Sequence, residues 1–536
     1  MDTIYYGGPI LTMESENDSP EAVLVSKGII KKVGTLKETM DAAGSNVRKY
    51  NLDGRCLMPS FIDPHGHIVM NGQMALFADL SECSNFDDIV NVMKKFIADN
   101  KVNSKQVAVG FGYDHNFLDE HAHPGKDVLD KVDKNIPIMI LHVSGHMGCV
   151  NSALLELAGI DENTENPQGG VIGRVEGSNE PNGYLEEAAT MAAQAVLGKR
   201  IKPDLGKMIR GMQQVYIENG VTTVQEGAGN AGSMKLLKLA SMLGKLKVDV
   251  VVYPLISEGG EKLIAGNKKM LNKYRKHVKI GGYKMILDGS PQGRSAWMSE
   301  PYLGGEEGYC AYPWITDEEA DKYALTAVNS NLQILAHCNG DAASEQFLNA
   351  YEKALAESDN PNKDNLRPVM IHCQTVRNDQ LDRMAAVNMI PSIFVGHVFY
   401  WGDIHKKNFG RERGNHISPA RDALDRGLVI NFHQDAPVTK PNMLHSVWCA
   451  VNRLSREGDV IGEDQKIGVY DALKAVTINA AYEYFEEDEK GSIKEGKRAD
   501  LVVLDKNPLD TDILEIKDIK VMETIKDGKC IFSRRK

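Results

Sequence analysis

Short apolar runs alternate with longer amphipathic stretches through the middle of the chain. The amphipathic segments at 87–100, 317–329, 378–387 and 419–426 have the character of helices. Because strand-like runs alternate with helices, the pattern predicts an α/β fold with a parallel sheet. The predicted strands are 56–62, 107–109, 136–142, 221–224, 248–255, 283–287, 333–336, 369–371, 390–395 and 428–432.

The number of apolar runs slightly exceeds eight, the strand number of a TIM barrel. Such a barrel occupies about 250 to over 400 residues as one domain. We therefore predict a (β/α)8 barrel over 58–484. The runs near residues 107 and 136 are then assigned to an insertion around 100–200.

Both ends of the chain are patterned as short strands and tight turns. The N-terminal turn is Lys27-Gly28, and the C-terminal run 521–525 leads into Asp527-Gly528. Neither end could bury a core alone at this size. We therefore predict one small discontinuous β-sandwich domain built from 1–57 and 485–536. Two independent appendages would fit the same pattern.

Composition and charge exclude several classes of protein. The 536 residues are 42% hydrophobic and 25% charged, the balance of a soluble globular protein. The net charge of −12 disfavours nucleic acid and anionic membranes as partners, and no run approaches the roughly 18 apolar residues that span a bilayer. The eight cysteines form no CxxC pair and the N-terminus does not resemble a secretory signal, so we expect a cytoplasmic protein with reduced thiols.

The strongest chemical signal is Asp63-Pro64-His65-Gly66-His67, at the end of an apolar run. Residues two apart on an extended chain point the same way, so both imidazoles can bind one cation. Gly66 allows close approach of the backbone. This position favours a metal site over a chance pair of surface histidines.

Three later predicted strands end in further candidate ligands, which are His337, His372 and Asp435. A lone histidine after an apolar run is more often a hydrogen-bonded core residue. In a barrel, however, the C-terminal strand ends form one rim, where active sites lie. We therefore expect these three residues and the two histidines of the HxH motif to converge on one spot.

Lys284 lies inside a predicted buried strand, where an ammonium group is costly unless it is paired or neutralised. A salt bridge to Asp288 is one interpretation. The other is that CO₂ converts the amine to a carbamate, which bridges two cations as a carboxylate would. Glu226 ends another predicted strand.

This residue set resembles that of the amidohydrolase superfamily of metal-dependent hydrolases. Several ordered motifs over essentially the whole chain are similar to its N-substituted formamide deformylase-like branch. These motifs are SGH at 144–146, NSAL at 151–154, GVTTV at 220–224, KMILDGS at 284–290, HCNGDAA at 337–343 and GSIKEGKRADLVVLD at 491–505.

The resemblance implies a site for one or two divalent cations, expected to be Zn²⁺. His65 and His67 would bind the more buried metal with Asp435. His337 and His372 would bind the second. A carboxylated lysine at position 284 would bridge the two, with Glu226 as the alternative bridge.

The resemblance also implies a metal-dependent amidohydrolase that cleaves a non-peptide C–N bond, of an amide or formamide, by attack of a metal-bound hydroxide. Asp435 would act as general base and then acid, with His337 and His146 also catalytic. Substrate-binding candidates are His115, His146, Arg294, Tyr302 and His397. A deaminase, lactonase or esterase on the same scaffold is the alternative, followed by a non-catalytic scaffold protein.

The aromatic run Phe399-Tyr400-Trp401 indicates a small-molecule substrate with an apolar or aromatic portion. By analogy with other such barrels we expect a homodimer. The exact substrate, the identity and number of the metals, the carboxylation of Lys284 and the oligomeric state stay open at this point.

Overall fold

The computed structural model describes residues 2–143, 147–167, 169–198, 200–201 and 204–534. These residues fall into two compact units. The described residues up to Val69 and from Gln213 onward form unit 1, and those from Met70 to Met212 form unit 2. Among the described residues, no helix combines the length and the apolar character that crossing a bilayer requires.

The strands are numbered in chain order. They are β1 (Asp2–Tyr6), β2 (Ala22–Ser26), β3 (Ile29–Gly34), β4 (Val47–Asn51), β5 (Cys56–Pro59), β6 (Phe61–Ile62), β7 (Ala78–Asp79), β8 (Ala108–Tyr113), β9 (Ile138–His142), β10 (Met147–Val150), β11 (Gly170–Arg174), β12 (Pro181–Glu187), β13 (Val221–Gly229), β14 (Asp249–Pro254), β15 (Val278–Ile280), β16 (Gly282–Ile286), β17 (Gln333–Cys338), β18 (Val369–His372), β19 (Ile390–Ile393), β20 (Asn431–Phe432), β21 (Leu501–Leu504), β22 (Val521–Lys526) and β23 (Lys529–Ser533).

The α-helices are numbered in the same way. They are α1 (Leu36–Ala42), α2 (Ile68–Met74), α3 (Phe86–Asn100), α4 (Lys126–Asp130), α5 (Ser152–Ala158), α6 (Ala188–Gly198), α7 (Leu205–Glu218), α8 (Ala231–Met242), α9 (Gly260–Ala265), α10 (Asp317–Asn329), α11 (Asp341–Glu357), α12 (Asn378–Ala386), α13 (His397–Asn415), α14 (Ala420–Asp425), α15 (Met443–Asn452), α16 (Val469–Ala475) and α17 (Ile478–Glu483).

The predicted α/β character is present, because helices alternate with parallel strands through most of unit 1. One parallel sheet has the order β15-β14-β13-β6, and a second has the order β16-β17-β18-β19-β20. Helix starts follow local chemistry. At α10, for example, Thr316 and Glu319 form a capping box, which satisfies backbone N–H groups at the first turn.

The two parallel sheets are separated at Gly281, which lies between β15 and β16. A side chain there would overlap the ring of Tyr253, and a Cβ added at that position would lie 2.5 Å from the tyrosine oxygen. A single parallel bridge between Leu255 and Lys284 still connects the sheets. Within the described residues, no strand ladder joins β20 to β6.

The predicted strand at 56–62 is two strands in the structure. β5 pairs antiparallel with β21, whereas β6 pairs parallel with β13. The chain therefore passes from one sheet to another at Ser60, which a continuous apolar run does not reveal. The predicted domain boundary at residue 57 falls inside β5.

The two ends of the chain form two four-stranded sheets, β3-β2-β1-β4 and β23-β22-β21-β5. Both sheets contribute to one buried apolar cluster, in which Val23 and Val25 lie with Leu501, Val503 and Ile525. The two termini therefore share a core.

Unit 2 is built on a six-stranded mixed sheet with the order β11-β12-β10-β9-β8-β7. β7, β8 and β9 are parallel to one another, and β10 runs antiparallel to β9. The apolar runs near residues 107 and 136 form β8 and β9 of this sheet.

Candidate metal centre

Six of the predicted site residues come from strands of unit 1 or from the residues that directly follow them. We call this set the strand-end cluster: His65, His67, Lys284, His337, His372 and Asp435. Carboxyl ends of neighbouring parallel strands meet at one edge, and His65, His372 and Asp435 have ligand atoms within 4.8 Å of one another.

His65 is 1% exposed, and its ring is fixed by Gln225. Its Nδ1 lies 2.6 Å from the side-chain oxygen of Gln225, whose nitrogen donates to the carbonyl of Pro64. Because a carbonyl only accepts, the amide orientation is settled and His65 Nδ1 carries the hydrogen. The lone pair of His65 Nε2 therefore faces Asp435 Oδ1 at 3.5 Å.

His67 turns its Nε2 towards the same carboxylate oxygen, at 3.3 Å. Both imidazoles of the HxH motif therefore face Asp435, as the spacing predicts. Burial is the largest single influence on Asp435 and opposes its ionisation, but the hydrogen bond from His67 and the nearby charges of His67, His433 and Lys284 together lower the pKa of the carboxyl. Asp435 is therefore an ionised group between two ring nitrogens at neutral pH.

His337 and His372 form a second pair of facing imidazoles. His337 Nδ1 lies 2.9 Å from His372 Nε2, and His337 Nε2 lies 3.2 Å from the carbonyl oxygen of Gly289. That carbonyl also accepts from Asn339 Nδ2 at 2.8 Å, and the same amide nitrogen lies 3.0 Å from His337 Nε2. The Nδ1 of His337 faces His372. Asp435 Oδ2 lies 4.0 Å from His372 Nε2, which places the carboxylate beside both pairs.

Burial lowers the pKa of His65 and His372 well below the usual histidine value, with nearby positive groups adding to the effect. Both rings are therefore neutral near pH 7. A neutral imidazole is the form that coordinates a metal.

Lys284 lies on β16 and is 2% exposed. Within the described part of the chain, its Nζ has no hydrogen-bond partner. The salt bridge to Asp288 that one interpretation predicted is not formed. Asp288 accepts instead from the backbone N–H groups of Trp297, Asn339 and Gly340, at 3.0, 3.0 and 2.7 Å. Burial lowers the pKa of Lys284 to about 8.

An orphaned amine in this position fits a site for cations bridged by a modified lysine. The buried ammonium form is costly without a counter-ion or hydrogen bonds. The cluster also offers imidazole and carboxylate ligands, the set that divalent zinc prefers. Glu226, the alternative bridge, lies beside His67, and one carboxylate oxygen accepts from the backbone N–H of Val69 at 2.9 Å.

The other predicted residues have different surroundings. His397 is buried on α13, and its Nδ1 lies 3.1 Å from His405 Nε2. Arg294 donates to Asn408, and Tyr302 donates to the carbonyl of Ala296 inside a small apolar cluster. His115 lies in unit 2, and His146 lies outside the described residues.

Two residues that hold the ligands were missed from the sequence. Gln225 fixes the ring of His65, and His433 Nε2 lies 3.2 Å from His372 Nδ1. His433 is itself held by the hydroxyl of Ser392, at 3.0 Å. The segment His433-Gln434-Asp435 has the same two-residue spacing as HxH, a signal that could have found His433.

A family model described as the amidohydrolase family matches residues 48–532. The chain belongs to the amidohydrolase family. The predicted resemblance is therefore confirmed, and individual relatives match along nearly the whole chain. N-substituted formamide deformylase of Arthrobacter pascens is 26% identical over 99% of this chain and 98% of its own length.

The protein YtcJ of Bacillus subtilis is 27% identical to this amidohydrolase-family chain, over the full length of both. Among solved structures, an uncharacterised metal-dependent hydrolase from Pyrococcus horikoshii superposes with a TM-score of 0.74 and 22% identity. That match covers 96% of this chain and 99% of the other, which shows a shared fold over nearly the whole length.

Proposed function

We propose that this amidohydrolase-family protein is a metal-dependent hydrolase that cleaves a non-peptide C–N bond of an amide or formamide. The observation that carries the proposal is the buried, unpartnered Nζ of Lys284 within a cluster of four imidazoles and a carboxylate. The similarity to a formamide deformylase along nearly the whole chain supports the choice of C–N bond.

The amine of Lys284 becomes an anionic ligand when it adds to CO₂. The neutral nitrogen forms a bond to the carbon of CO₂ and loses one proton, which leaves an N-carboxylate. With a pKa of about 8, about a tenth of the amine is neutral at pH 7, far more than for an ordinary lysine. His65, His67 and Asp435 would hold one divalent cation, His337 and His372 a second, and the N-carboxylate would bridge them.

Cations of this kind, zinc foremost, lower the pKa of water from 15.7 to about 7 and so supply a hydroxide nucleophile near neutral pH. Asp435 is ionised, and it can accept the proton of that water and later deliver it to the leaving nitrogen. Gln225 orients the ring of His65, and His433 orients the ring of His372. The ring nitrogens of His65 and His372 that these contacts leave free then face the reacting centre.

We further propose that the parallel strands of unit 1 close into a (β/α)8 barrel and that the two terminal sheets form a β-sandwich domain. Closure is supported by the Leu255–Lys284 bridge and by the backbone bond from His67 N to Ala436 O, at 2.8 Å, which joins the segments beyond β6 and β20. The shared apolar cluster of the terminal sheets supports the sandwich. A homodimer and a cytoplasmic location stay predictions.

A substrate panel tests the proposed activity. Zinc-loaded protein is assayed with N-substituted formamides, N-acyl amino acids, cyclic ureides, lactones and aminopurines, and the products are identified by mass spectrometry. Turnover of an amide or formamide, lost in Asp435→Asn, is the expected result. Ring deamination or lactone opening without amide turnover would contradict the proposal.

A further inference from the structure

A second group of candidate metal ligands lies inside unit 2, again at the carboxyl ends of parallel strands. β8 and β9 are paired, with Tyr113 opposite His142. Asp114 and His115 directly follow β8, and His142 is the last residue of β9. We call Asp114, His115 and His142 the unit 2 triad.

The three ligand atoms of the unit 2 triad face one another. His115 Nδ1 lies 3.3 Å from His142 Nε2, and Asp114 Oδ1 lies 3.4 Å from His142 Nε2 and 3.9 Å from His115 Nδ1. A point equidistant from all three atoms is about 2.1 Å from each, which is the length of zinc–nitrogen and zinc–oxygen bonds. The spacing therefore fits one ion without any rearrangement of the backbone.

Neighbouring side chains hold the triad in this arrangement. The backbone and side-chain nitrogens of Asn116 donate to Asp114 Oδ1, at 3.0 and 2.9 Å. The ring of His123 stacks on His115 with centroids 4.1 Å apart, and His123 Nδ1 lies 2.9 Å from the hydroxyl of Tyr113. Ligands whose orientation is fixed by such contacts lose little freedom when an ion binds.

The triad is only partly covered. The side chain of His142 is 7% exposed, but those of His115 and Asp114 are 28% and 23% exposed. An ion bound to three protein atoms would therefore keep a position that is accessible to water or to a small ligand. Three protein ligands with an open fourth position are typical of zinc sites that exchange a ligand.

We propose that unit 2 contains its own binding site for a transition-metal ion of the zinc class, with Asp114, His115 and His142 as ligands. Two imidazole nitrogens and one carboxylate oxygen favour Zn²⁺ and related ions over Mg²⁺ and Ca²⁺, which prefer sets made of oxygen. The proposal does not depend on the reaction proposed above. The alternative is a purely structural hydrogen-bond network, in which the two facing nitrogens share a proton.

The number of bound metal ions tests this site. Full-length protein is stripped with a chelator, dialysed against a fixed free concentration of Zn²⁺, and its zinc content per chain is measured by plasma mass spectrometry. We expect His115→Gln and Asp114→Asn each to bind one zinc ion fewer than the unmodified protein. The test compares the zinc content of each variant with that of the unmodified protein. The comparison is therefore valid for any number of ions bound by the strand-end cluster.

His121→Gln is the matched control, because His121 is an exposed histidine of the same unit. It should bind as much zinc as the unmodified protein, which separates the triad from adventitious surface binding. Circular dichroism of each variant establishes that it is folded. Because two triad positions are tested, the result does not depend on the folding of a single variant. Equal zinc content in the unmodified protein and in folded His115→Gln and Asp114→Asn would overturn the proposal in favour of the hydrogen-bond network.

Discussion

The strand-end cluster of unit 1 and the unit 2 triad follow one construction rule but differ in burial. In both, histidines and an aspartate lie at or beyond the carboxyl ends of parallel strands, which belong to two sheets in unit 1 and to one sheet in unit 2. The histidine side chains at positions 65 and 372 are only 2% and 3% exposed, whereas that of His115 is 28% exposed.

Burial decides what each cluster can do. The strand-end cluster contains an amine with no hydrogen bond and an ionised carboxylate, arranged where water is scarce and electrostatic effects are strong. The unit 2 triad contains no lysine, and the side chains of His115 and Asp114 are partly exposed. The first arrangement suits chemistry on a bound substrate, and the second suits an exchangeable ion.

The largest effect is expected from Asp435→Asn. An amide cannot take the proton of the attacking water, so kcat should fall by about 10³-fold, within the usual range for loss of a general base. Steady-state assays on the best substrate of the panel measure this. Asp425→Asn, at an exposed position in α14, is the matched control and should keep the unmodified rate. Undiminished turnover by Asp435→Asn with its metals bound would remove the proposed role.

Lys284→Ala is expected to cost more than about 100-fold in turnover, because it removes the proposed bridge between two cations. The deleted side chain leaves space for a small acid, so formate or acetate should restore part of the activity. Lys245→Ala, at an exposed position, serves as the control. Full activity of Lys284→Ala without added acid would indicate that Glu226 or no residue forms the bridge.

Gln225→Leu tests the orientation of His65. Without the acceptor for Nδ1, the ring loses its fixed tautomer, and zinc affinity should fall by about 10- to 100-fold. Gln225→Glu keeps an acceptor and should retain most of the affinity. Competition with a chromophoric chelator measures both values, and equal affinities of the two variants would show that this contact is not needed.

The pH dependence of activation reports on Lys284. Below its pKa of about 8 the amine is protonated and cannot add to CO₂, whereas above that value it is neutral. At constant dissolved CO₂, the rate of activation of metal-free protein by zinc and CO₂ should rise about tenfold per pH unit up to pH 8 and then level off. A rate that is independent of both CO₂ and pH would contradict carboxylation.

The smallest expected effect is a difference in the rates at which the two regions lose metal to a chelator. The partly exposed unit 2 triad is expected to lose its single ion in a fast phase, before the buried strand-end cluster releases metal. Stopped-flow absorbance with a chromophoric chelator follows both phases. The fast phase should be absent in His115→Gln and unchanged in His121→Gln, and a single phase in all three proteins would remove the contrast between the regions.

Periodicity predicted the parallel strands and their helices well, because each is marked locally by its apolar residues. The predicted helix at 317–329 has the bounds of α10. The division of 56–62 into two strands could not be predicted, since one apolar run serves two different sheets. Only the three-dimensional pairing shows where the chain changes partners.

The candidate ligands were found because HxH, terminal histidines and a strand lysine are unusual in sequence. Residues that only orient these ligands were not found from the sequence. Gln225 is indistinguishable from an ordinary polar residue at a strand end until its bond to His65 is seen. His142 ends a predicted strand as His337 and His372 do, but its meeting with Asp114 depends on the register between β8 and β9.

The most direct test of the proposed metal centre with a bridging carboxylated lysine is an anomalous diffraction experiment at the zinc edge, on crystals grown with zinc and bicarbonate. We predict anomalous peaks beside His65, His67 and Asp435 and beside His337 and His372, with the density of Lys284 extended by a carboxylate that lies between them. An unmodified Lys284 amine with no anomalous peak within reach of these side chains would contradict it.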